Sequence, residues 1–396
     1  MKILVVCQYY YPENFVIHKI AEQLVKNGHE VDVLTGKPNY GYGYILPEYK
    51  HVKSEMISGV RVFRVNIKAR KKSRLSIIRN YLSFWRNSKK WIKKCRTQYD
   101  IIYSMSLSPV TILAAGNLYK KKHQVPHVVH CVDLWPESVL ITHAVRKNSL
   151  VYKFLYKWSQ KLYRQVDEVI VGSPSFEQYF HDVLNINDKD FCFIPQPSLV
   201  EECQEEPSEY DDEYFNILYC GNLGTIQLIP LIPKAMDILT DEKIRFHIIG
   251  MGPMSDSLRK DIEKYGLERT LIYHGPMPAK KASPYFKGAD ALYVSLKNEG
   301  PIGKTIPNKL VMSMAFAKPI IATLGGDGAA VLSYSKGAII NEQENEKALA
   351  EAILKMAQTS KKQREEMGTN NLNYFKENFS LENITKKIEK ELVNKL

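Results

Sequence analysis

VSLKNEGPIGKTIPNKLVMSMAFAKPIIA, residues 294–322, is the stretch that decides the fold class of this chain. It predicts a strand end, a loop punctuated by Gly and Pro, a helix that carries Leu310, Met314 and Ala317, and a second strand. A strand, a helix and a strand in this order form the repeating unit of a parallel α/β sheet. In open sheets of this kind, ligands bind outside the carboxyl ends of the strands. The loop in this stretch is therefore the first candidate site.

Two residues next to the predicted helix start, Asn308 and Lys309, suit an anion. A helix N-terminus supplies partial positive charge, and a lysine ammonium supplies a full one. The combination makes this loop a candidate diphosphate site. The alternative is an ordinary crossover connection with an exposed lysine.

The length of the chain predicts two domains. It has 396 residues, of which 44% are hydrophobic, and a single core stops growing at roughly 250–300 residues. Acidic residues and a proline in EECQEEPSEYDDE indicate a surface linker between the two lobes. We therefore expect the following division: an N-terminal Rossmann-like domain at 1–200, the acidic linker at 201–213, a C-terminal Rossmann-like domain at 214–375, and a helix at 376–396 that packs back on the N-terminal domain.

Both predicted domains open with a buried strand. Residues 3–6, ILVV, precede an amphipathic helix that stops at Asn27-Gly28, and a second strand follows. In the other half, strands are followed by glycine at Gly221, Gly250 and Gly275. Glycine lets the backbone approach a ligand closely, so this repetition favours a phosphate or nucleotide site. A GxGxxG fingerprint is missing from the first unit, which argues against a dinucleotide site there.

The positive charge is concentrated in the first half. Residues 1–200 hold 30 Lys/Arg against 15 Asp/Glu, whereas residues 201–396 hold 25 against 28. The segment 68–96 contains twelve Lys/Arg and no acidic residue. Its apolar residues recur at helical spacing, namely Leu75, Ile78, Leu82 and Trp85. Such a helix is suited to bind an anionic membrane surface. Alternatively, its apolar face packs on the core of the domain. Nucleic-acid binding is a third possibility, but no recognised binding motif accompanies the charge.

A polar cluster follows the predicted strand at residues 127–131. It contains His130, Asp133 and Glu137, with Trp135 beside them. Polar side chains at the carboxyl end of a parallel strand favour a functional site. The alternative for His130 is a structural histidine.

The remaining composition narrows the class of protein. The six cysteines lack CxxC spacing and a histidine cluster, so we expect reduced thiols and no metal site. The apolar N-terminal run is too short for a signal peptide, and no later run reaches the roughly 20 residues that span a bilayer. The expected location is the cytoplasm, with peripheral association at the inner face of the cell membrane.

Several motifs together carry a family resemblance. They are YYYPEN, NGHEVDVLTGKPNYGYG, VDLWPES at 132–138, YCGNLG at 219–224, IIGMGP at 248–253, HGPMP at 274–278 and IPNKLVMSMAFAKPIIAT from 306. In this order the chain resembles retaining glycosyltransferases of family 4, particularly the fucosamine-transferase-like branch that builds capsule and O-antigen repeat units. The resemblance implies the GT-B fold, in which two doubly wound, Rossmann-like parallel-sheet α/β domains face an interdomain cleft.

The resemblance also implies roles for matching residues. The donor nucleotide sugar would contact Gly221, Asn222, Gly224, Gly250, Gly252, Pro276, Met277, Ile302, Thr305, Asn308 and Lys309. The acceptor would contact Glu13, Asn14, Asp133 and Glu137. The reaction would depend on Asp133, His130, Lys309 and Glu299. No metal and no cofactor are expected beyond the donor, which the resemblance suggests is a UDP-sugar.

Some positions depart from the family pattern. The family carries two glutamates spaced EX7E, and here the positions are Lys304 and Met312. Glu299 is the candidate replacement for the first carboxylate. The glycine of the family helix is Ala317, and an early glycine pair is replaced by Asn14-Phe15.

The expected activity is that of a glycosyltransferase (EC 2.4) that moves a sugar, of hexosyl or N-acetylhexosaminyl type, from a nucleotide diphosphate to a polyprenyl-diphosphate-linked glycan in bacterial capsular, exopolysaccharide or O-antigen synthesis. Preorganised N–H donors and Lys309 would stabilise the leaving diphosphate. Two alternatives are a GT-B nucleotide-sugar epimerase and a non-catalytic GT-B partner subunit; the missing carboxylate at Met312 favours the second of these.

Overall fold

The structure is a computed structural model that divides into two compact units. The N-terminal unit comprises Met1–Pro197 and Leu381–Leu396, and the C-terminal unit comprises Ser198–Ser380. The description covers residues 1–71, 73–141, 145–147, 149–199 and 210–396, with the backbone alone for Ile141 and Ile302. Residues 201–209 of the acidic linker lie outside it.

The N-terminal unit is built on a sheet whose strand order is β3-β4-β2-β1-β5-β6-β7-β8. All neighbouring strands are parallel except β3, which runs antiparallel to β4. The strands are β1 (Lys2–Val6), β2 (Glu30–Gly36), β3 (Ser54–Ile57), β4 (Val60–Val65), β5 (Ile101–Ser106), β6 (His127–Cys131), β7 (Glu168–Val171) and β8 (Phe191–Phe193). The apolar run of β1 is fully buried at Ile3, Leu4, Val5 and Val6, as expected for a central parallel strand.

Helices cover this sheet. They are α1 (Ile17–Lys26), α2 (Arg74–Lys94), α3 (Leu113–His123), α4 (Glu137–Ile141), α5 (Leu150–Tyr163) and α6 (Ser175–Asp182). The helix α1 buries Ile17, Ile20 and Leu24 and ends before Gly28, whose φ of +91° is a left-handed conformation that favours glycine.

The C-terminal unit is a fully parallel sheet with the order β11-β10-β9-β12-β13-β14. Its strands are β9 (Phe215–Cys220), β10 (Ile244–Ile249), β11 (Leu271–Gly275), β12 (Ala291–Ser295), β13 (Ile320–Thr323) and β14 (Ala338–Asn341). Its helices are α7 (Leu231–Ile238), α8 (Ser255–Tyr265), α9 (Ala279–Gly288), α10 (Gly300–Gly303), α11 (Asn308–Met314), α12 (Gly326–Ser335), α13 (Glu346–Gln358) and α14 (Lys361–Asn378). Both sheets therefore have the doubly wound topology predicted from the sequence.

The last helix, α15 (Leu381–Asn394), belongs to the N-terminal unit. Its Ile384, Ile388 and Leu392 are fully buried in the same core cluster as the apolar face of α1. The side chain of Glu389 accepts a hydrogen bond from Asn27 at 2.8 Å and lies 2.9 Å from His29. The division between units falls after Ser380 rather than at 376, because α14 continues to Asn378.

The described end of the predicted linker is packed rather than free at the surface. The ring of Tyr210 lies edge-on to His247, with 4.6 Å between ring centroids, and Asp211 pairs with Arg245 at 3.1 Å. Within the part of the chain that the structure describes, no helix combines the length and the apolar character needed to cross a membrane.

Candidate active site

The topology of each sheet marks one position for a ligand. In the C-terminal unit the strand order reverses between β9 and β12, and in the N-terminal unit it reverses between β1 and β5. The crevice outside the carboxyl ends of the strands at such a point is where open α/β sheets bind ligands. The residues that follow these four strands therefore line the expected ligand sites.

In the C-terminal unit the glycines after β9 and β10 pack their backbones against each other. A Cβ atom at Gly250 would lie 1.8 Å from the carbonyl oxygen of Gly221, and one at Gly252 would lie 2.4 Å from that of Leu223. The N–H groups of Gly221 and Gly250 donate to the carbonyls of Ile249 and Gly275, each at 2.9 Å. These glycines are thus required by close packing of the two loops, and their N–H groups are already used.

Other donors in the same loop remain available. The backbone N–H groups of Asn222 and Gly224 have no acceptor among the described residues. The nearby Gln227 has a buried Oε1 atom that accepts no hydrogen bond in the described part of the chain. An orphaned buried acceptor and free backbone donors together are typical of a site that binds a polar ligand. The sequence prediction did not include Gln227, because its position becomes informative only when the loop is folded.

Lys309 lies where the loop after β12 meets the loop after β9. A Cβ atom at Gly221 would lie 2.6 Å from Lys309 Cε and 3.0 Å from its Nζ. The ammonium donates a hydrogen bond to the hydroxyl of Tyr219 and lies 3.7 Å from the centroid of that ring. The Tyr219 hydroxyl in turn donates to the carbonyl of Asn222 at 2.7 Å. The structure therefore brings together three of the predicted donor residues.

The electrostatics of Lys309 are those of an uncompensated cation. No carboxylate forms an ion pair with it among the residues that the structure describes. Burial lowers the pKa of Lys309 to about 7, and the nearby thiol of Cys220 opposes this shift. A lysine held half-buried without a counter-ion is poised to gain its charge when an anion binds.

The other predicted donor residues differ in their exposure to solvent. Asn308, the first residue of α11, is exposed, and Thr305 is half-buried. Pro276 is exposed after β11, while Met277 packs partly against the core. Only the backbone of Ile302, in α10, is described.

The structure shows the surroundings of two family departures and of the candidate replacement carboxylate, Glu299. Glu299 is exposed and pairs with Lys297, so its carboxylate is solvated rather than buried in the site. Met312 packs partly against the apolar core beneath α11. Ala317 lies beyond the end of α11 rather than within it, and its φ of +54° is left-handed. A glycine suits this last position because a Cβ atom is strained there.

In the N-terminal unit, Asp133 follows β6 and meets the end of β5. Its carboxylate accepts a hydrogen bond from the Ser108 hydroxyl at 2.6 Å, and Ser108 also lies 2.9 Å from the hydroxyl of Ser138. Burial raises the pKa of Asp133, and hydrogen bonds from Ser108 and Ser138 oppose this rise. Asp133 is thus a positioned carboxylate beside the point where the strand order reverses.

His130 does not join this carboxylate at a surface. It is fully buried, and its two ring nitrogens lie 2.9 Å from the Tyr103 hydroxyl and 2.8 Å from the carbonyl oxygen of Ile194. Burial lowers the pKa of His130 to about 4. The prediction of a catalytic role is therefore corrected: His130 is a neutral structural residue inside the sheet. It lies within β6 and its side chain is buried in the core, whereas Asp133 lies beyond the end of the strand.

Two predicted acceptor contacts also serve the fold. Glu137 is 6% exposed and accepts hydrogen bonds from the hydroxyls of Tyr152 and Tyr179. Glu13 is 4% exposed and accepts hydrogen bonds from the backbone N–H groups of Asn39 and Tyr40. Both carboxylates are buried and accept hydrogen bonds from other groups of the protein. Asn14, in contrast, is exposed.

Each of the two units matches a family of known proteins. Residues 14–197 match the glycosyl transferase 4-like domain, and residues 214–359 match the glycosyl transferases group 1 model. A probable glycosyltransferase of Pseudomonas aeruginosa, WbjE, is 28% identical over 234 residues, which are 57% of each chain. The match thus spans little more than half the length of that relative. An uncharacterized glycosyltransferase of Methanocaldococcus jannaschii, MJ1607, is 26% identical over 387 residues, covering 88% of this chain and 87% of the relative.

Solved structures show the same fold at low identity. Sucrose-phosphate synthase from Thermosynechococcus elongatus superimposes with a TM-score of 0.73 at 15% identity, over 99% of this chain and 98% of that one. Anabaena HepE in complex with UDP superimposes with a TM-score of 0.68 at 14% identity, over 100% of both chains.

Two doubly wound sheets matched by a glycosyl transferase 4-like model and a group 1 model define a glycosyltransferase (EC 2.4) with the GT-B fold. Within that class, the chain belongs to family 4 of the glycosyltransferases, which depend on nucleotide sugars.

Proposed function

We propose that this protein is a retaining glycosyltransferase that uses a UDP-sugar and extends a polyprenyl-diphosphate-linked glycan during bacterial capsular or O-antigen polysaccharide synthesis. The C-terminal unit holds the donor in this proposal, and the N-terminal unit holds the acceptor. Support for UDP comes from HepE, a structural relative described in complex with UDP and with UDP-glucose. Support for the fucosamine-transferase-like branch comes from the sequence motifs.

The observation that carries the proposal is the position of Lys309. Its ammonium lies against the main chain of Gly221, next to the unused N–H groups of Asn222 and Gly224. A cation and two backbone donors at the carboxyl edge of a parallel sheet form a suitable diphosphate cradle.

The same geometry suggests how the chemistry is assisted. Departure of the nucleotide leaves negative charge on the diphosphate, and preorganised donors stabilise such charge more in the transition state than before it. Lys309 and the loop 222–224 would supply this stabilisation. In the N-terminal unit, Asp133 would accept a hydrogen bond from the attacking hydroxyl and orient it. Retention of configuration is proposed from the family resemblance.

The surface of α2 supports an acceptor anchored in a membrane. Leu75, Ile78 and Leu82 are 56%, 51% and 39% exposed, whereas the face that packs on the core is formed by Asn80, Phe84, Ser88 and Ile92. The predicted apolar stripe therefore faces solvent, and the alternative in which it packs on the core is wrong for these three residues. Arg79 and Arg86, at neighbouring helical positions, are exposed as well.

A second helix extends this surface. In α5, Leu150, Val151 and Phe154 are 84%, 55% and 62% exposed. The rings of Trp85 in α2 and Trp158 in α5 lie edge to face with 5.6 Å between centroids, which joins the two helices. Neither helix contains an acidic residue. Exposed apolar side chains among basic ones match an anionic lipid surface, where each basic residue contributes about 1 kcal/mol.

Calorimetric titration with UDP, GDP and ADP in EDTA tests the donor assignment. We expect saturable binding of UDP, a loss of at least tenfold in affinity for Lys309→Ala, and unchanged affinity for Lys260→Ala, an exposed lysine on α8. Equal UDP affinity in the wild type and in Lys309→Ala would remove Lys309 from the site. Absence of binding for all three nucleotides would favour a non-catalytic subunit.

A further inference from the structure

The N-terminal unit contains a second half-buried cation, Arg70, which the sequence analysis did not single out. Its Nη1 group donates to the hydroxyl of Tyr9 at 3.0 Å and to that of Tyr81 at 2.8 Å. Its guanidinium carbon lies 5.0 Å from the ring centroid of Tyr40 and 5.4 Å from that of Tyr81. Three tyrosines thus hold the guanidinium in place through hydrogen bonds and cation–π contacts.

The backbone and the partners of Arg70 are also fixed. Its N–H group donates to Asn39 Oδ1 at 2.8 Å, and the same oxygen accepts from the fully buried Asn80 at 3.0 Å. The Tyr9 hydroxyl donates to Asn80 Oδ1 at 3.1 Å. The position of Arg70 is therefore set by a buried polar network, unlike that of a solvated surface arginine.

The guanidinium of Arg70 has no direct ion-pair partner in the described part of the chain; the carboxylate of this network, that of Glu13, is taken up by the backbone N–H groups of Asn39 and Tyr40. The hydrogen-bond partners of Arg70 are phenol hydroxyls and an amide, and no carboxylate forms an ion pair with it within the described ranges. Its Nη2 and Nε groups have no acceptor there either. Placing a cation among aromatic rings without a counter-ion costs free energy unless an anion completes the site.

The Arg70 cluster lies at the point where the N-terminal sheet reverses its strand order. Tyr9 follows β1, and Ser108, which holds Asp133, follows the neighbouring strand β5. Burial raises the pKa of Tyr81, and the charge of Asp133 adds to this rise. Arg70 and Asp133 thus face the same carboxyl edge of the sheet.

Aromatic rings beside Arg70 offer a surface for a sugar. The ring of Phe15 stacks on Tyr9 with 5.2 Å between centroids and meets the edge of Tyr40 at 5.1 Å. Tyr40 is 43% exposed, as expected for a ring that can still contact a ligand. A cation next to exposed aromatic faces suits a sugar that carries a negative group.

We propose that Arg70 binds an anionic group of the acceptor, either the diphosphate that joins its sugar to the lipid or the carboxylate of an acidic sugar. This inference rests on the proposed function and adds to it a specificity-determining residue. The position of α2 favours the diphosphate. Arg70 lies four residues before Arg74, where α2 begins, and the exposed Leu75 and Ile78 of that helix would accompany the lipid chain. A planar guanidinium can also bind phosphate oxygens in a bidentate way.

Calorimetric titrations with farnesyl diphosphate and with glucuronic acid test the inference. They are made with saturating UDP, so that the Lys309 site is occupied, and with farnesyl diphosphate below its micelle-forming concentration. We expect Arg70→Gln to lose at least tenfold in affinity for farnesyl diphosphate and Arg269→Gln, an exposed arginine before β11 in the C-terminal unit, to change it less than twofold. Arg70→Lys should be intermediate because the charge remains and the bidentate geometry is lost. Tyr81→Phe, which removes one anchor, should weaken binding by a few-fold.

Each outcome has a defined meaning. Arg70-dependent binding of farnesyl diphosphate assigns the diphosphate, and Arg70-dependent binding of glucuronic acid assigns an acidic sugar. Equal affinities for wild type, Arg70→Gln and Arg70→Lys would overturn the inference. If Arg70→Gln does not fold, judged by its thermal unfolding, the comparison of Arg70→Lys and Tyr81→Phe with the wild type decides. Retained UDP binding in these variants separates a failure of this inference from a failure of the proposed function.

Discussion

The ammonium of Lys309 lies 3.7 Å from the centroid of the Tyr219 ring and donates a hydrogen bond to the hydroxyl of the same residue. The aromatic ring therefore takes the place that a carboxylate would occupy beside a structural lysine. A neutral phenol supplies no negative charge, so a bound diphosphate would be the group that holds Lys309 in its charged form.

Proton uptake should accompany donor binding. Because burial lowers the pKa of Lys309 to about 7, the free protein at pH 8 carries this side chain mostly neutral, whereas a bound diphosphate favours the charged form. UDP binding should then take up close to one proton at pH 8, and UDP affinity should fall as pH rises above 7. Calorimetry in buffers of different ionisation enthalpy measures the uptake. Lys260→Ala should retain it, and uptake that persists in Lys309→Met would refute the assignment.

Asp133→Asn should slow sugar transfer without weakening UDP binding. The substitution keeps the shape of the side chain but removes the charge that would orient the attacking hydroxyl, a role worth roughly 10²–10⁴-fold in rate. Turnover with a lipid-linked acceptor and UDP titration measure the two effects separately. Asp182→Asn, at the exposed end of α6, is the matched control. Wild-type turnover in Asp133→Asn would return the carboxylate to a structural role.

His130→Gln should reduce stability rather than chemistry. The substitution disturbs the contacts with Tyr103 and Ile194 in the sheet, and each unmade buried hydrogen bond costs about 1–3 kcal/mol. Denaturant unfolding measures the loss, and turnover per folded molecule should stay within a few-fold of the wild type. A large fall in turnover at unchanged stability would restore the catalytic role.

Replacing the exposed apolar stripe should weaken membrane binding. In the triple variant Leu75→Ser, Ile78→Ser, Leu82→Ser we expect at least a tenfold loss of affinity for anionic vesicles, because each buried methylene contributes about 0.8 kcal/mol. Sedimentation with phosphatidylglycerol vesicles measures it. Met56→Ser, which alters a 66% exposed side chain on β3, is the control. Equal sedimentation of the triple variant and the wild type would show that this face does not meet lipid.

Ala317→Gly should stabilise the C-terminal unit. Relief of the left-handed conformation at φ +54° should raise the free energy of unfolding by about 0.5–1 kcal/mol. Ala315→Gly is a matched control two residues earlier, where φ is −69° and glycine should destabilise by a similar amount. Thermal unfolding of both variants measures the pair. A loss of stability in Ala317→Gly would contradict this explanation.

Local patterns in the sequence were sufficient to predict the fold. The topology follows from buried apolar runs that alternate with amphipathic helices, and the glycines after β9 and β10 fall where the chain order places them. The family resemblance had implied that Lys309 and Gly221 both contact the donor, and the structure brings them together because β9 and β12 are neighbours in the sheet. Even so, the N–H groups of Gly221 and Gly250 proved to be occupied, since they donate to the carbonyls of Ile249 and Gly275 at the ends of neighbouring strands.

The acceptor side was harder to predict. His130 and Asp133 are three residues apart, but one points into the sheet and the other follows its end, and spacing alone does not distinguish these directions. Glu13 and Glu137 are occupied by backbone and tyrosine donors from distant segments. The Arg70 cluster draws its members from loops after β1 and β2 and from α2, so no short motif reveals it. Helical periodicity located the apolar stripe of α2 correctly but left open which face meets the core.

The packing of α15 against α1 has a consequence for folding while the chain is being synthesised. The N-terminal unit lacks the side chains of Ile384, Ile388 and Leu392 until the whole of Ser198–Ser380 has left the ribosome. At 5–20 residues per second, that delay lasts roughly 10–40 s. During this time the part of the N-terminal core that α15 covers stays exposed to chaperones, and the first unit to emerge is the last to be completed.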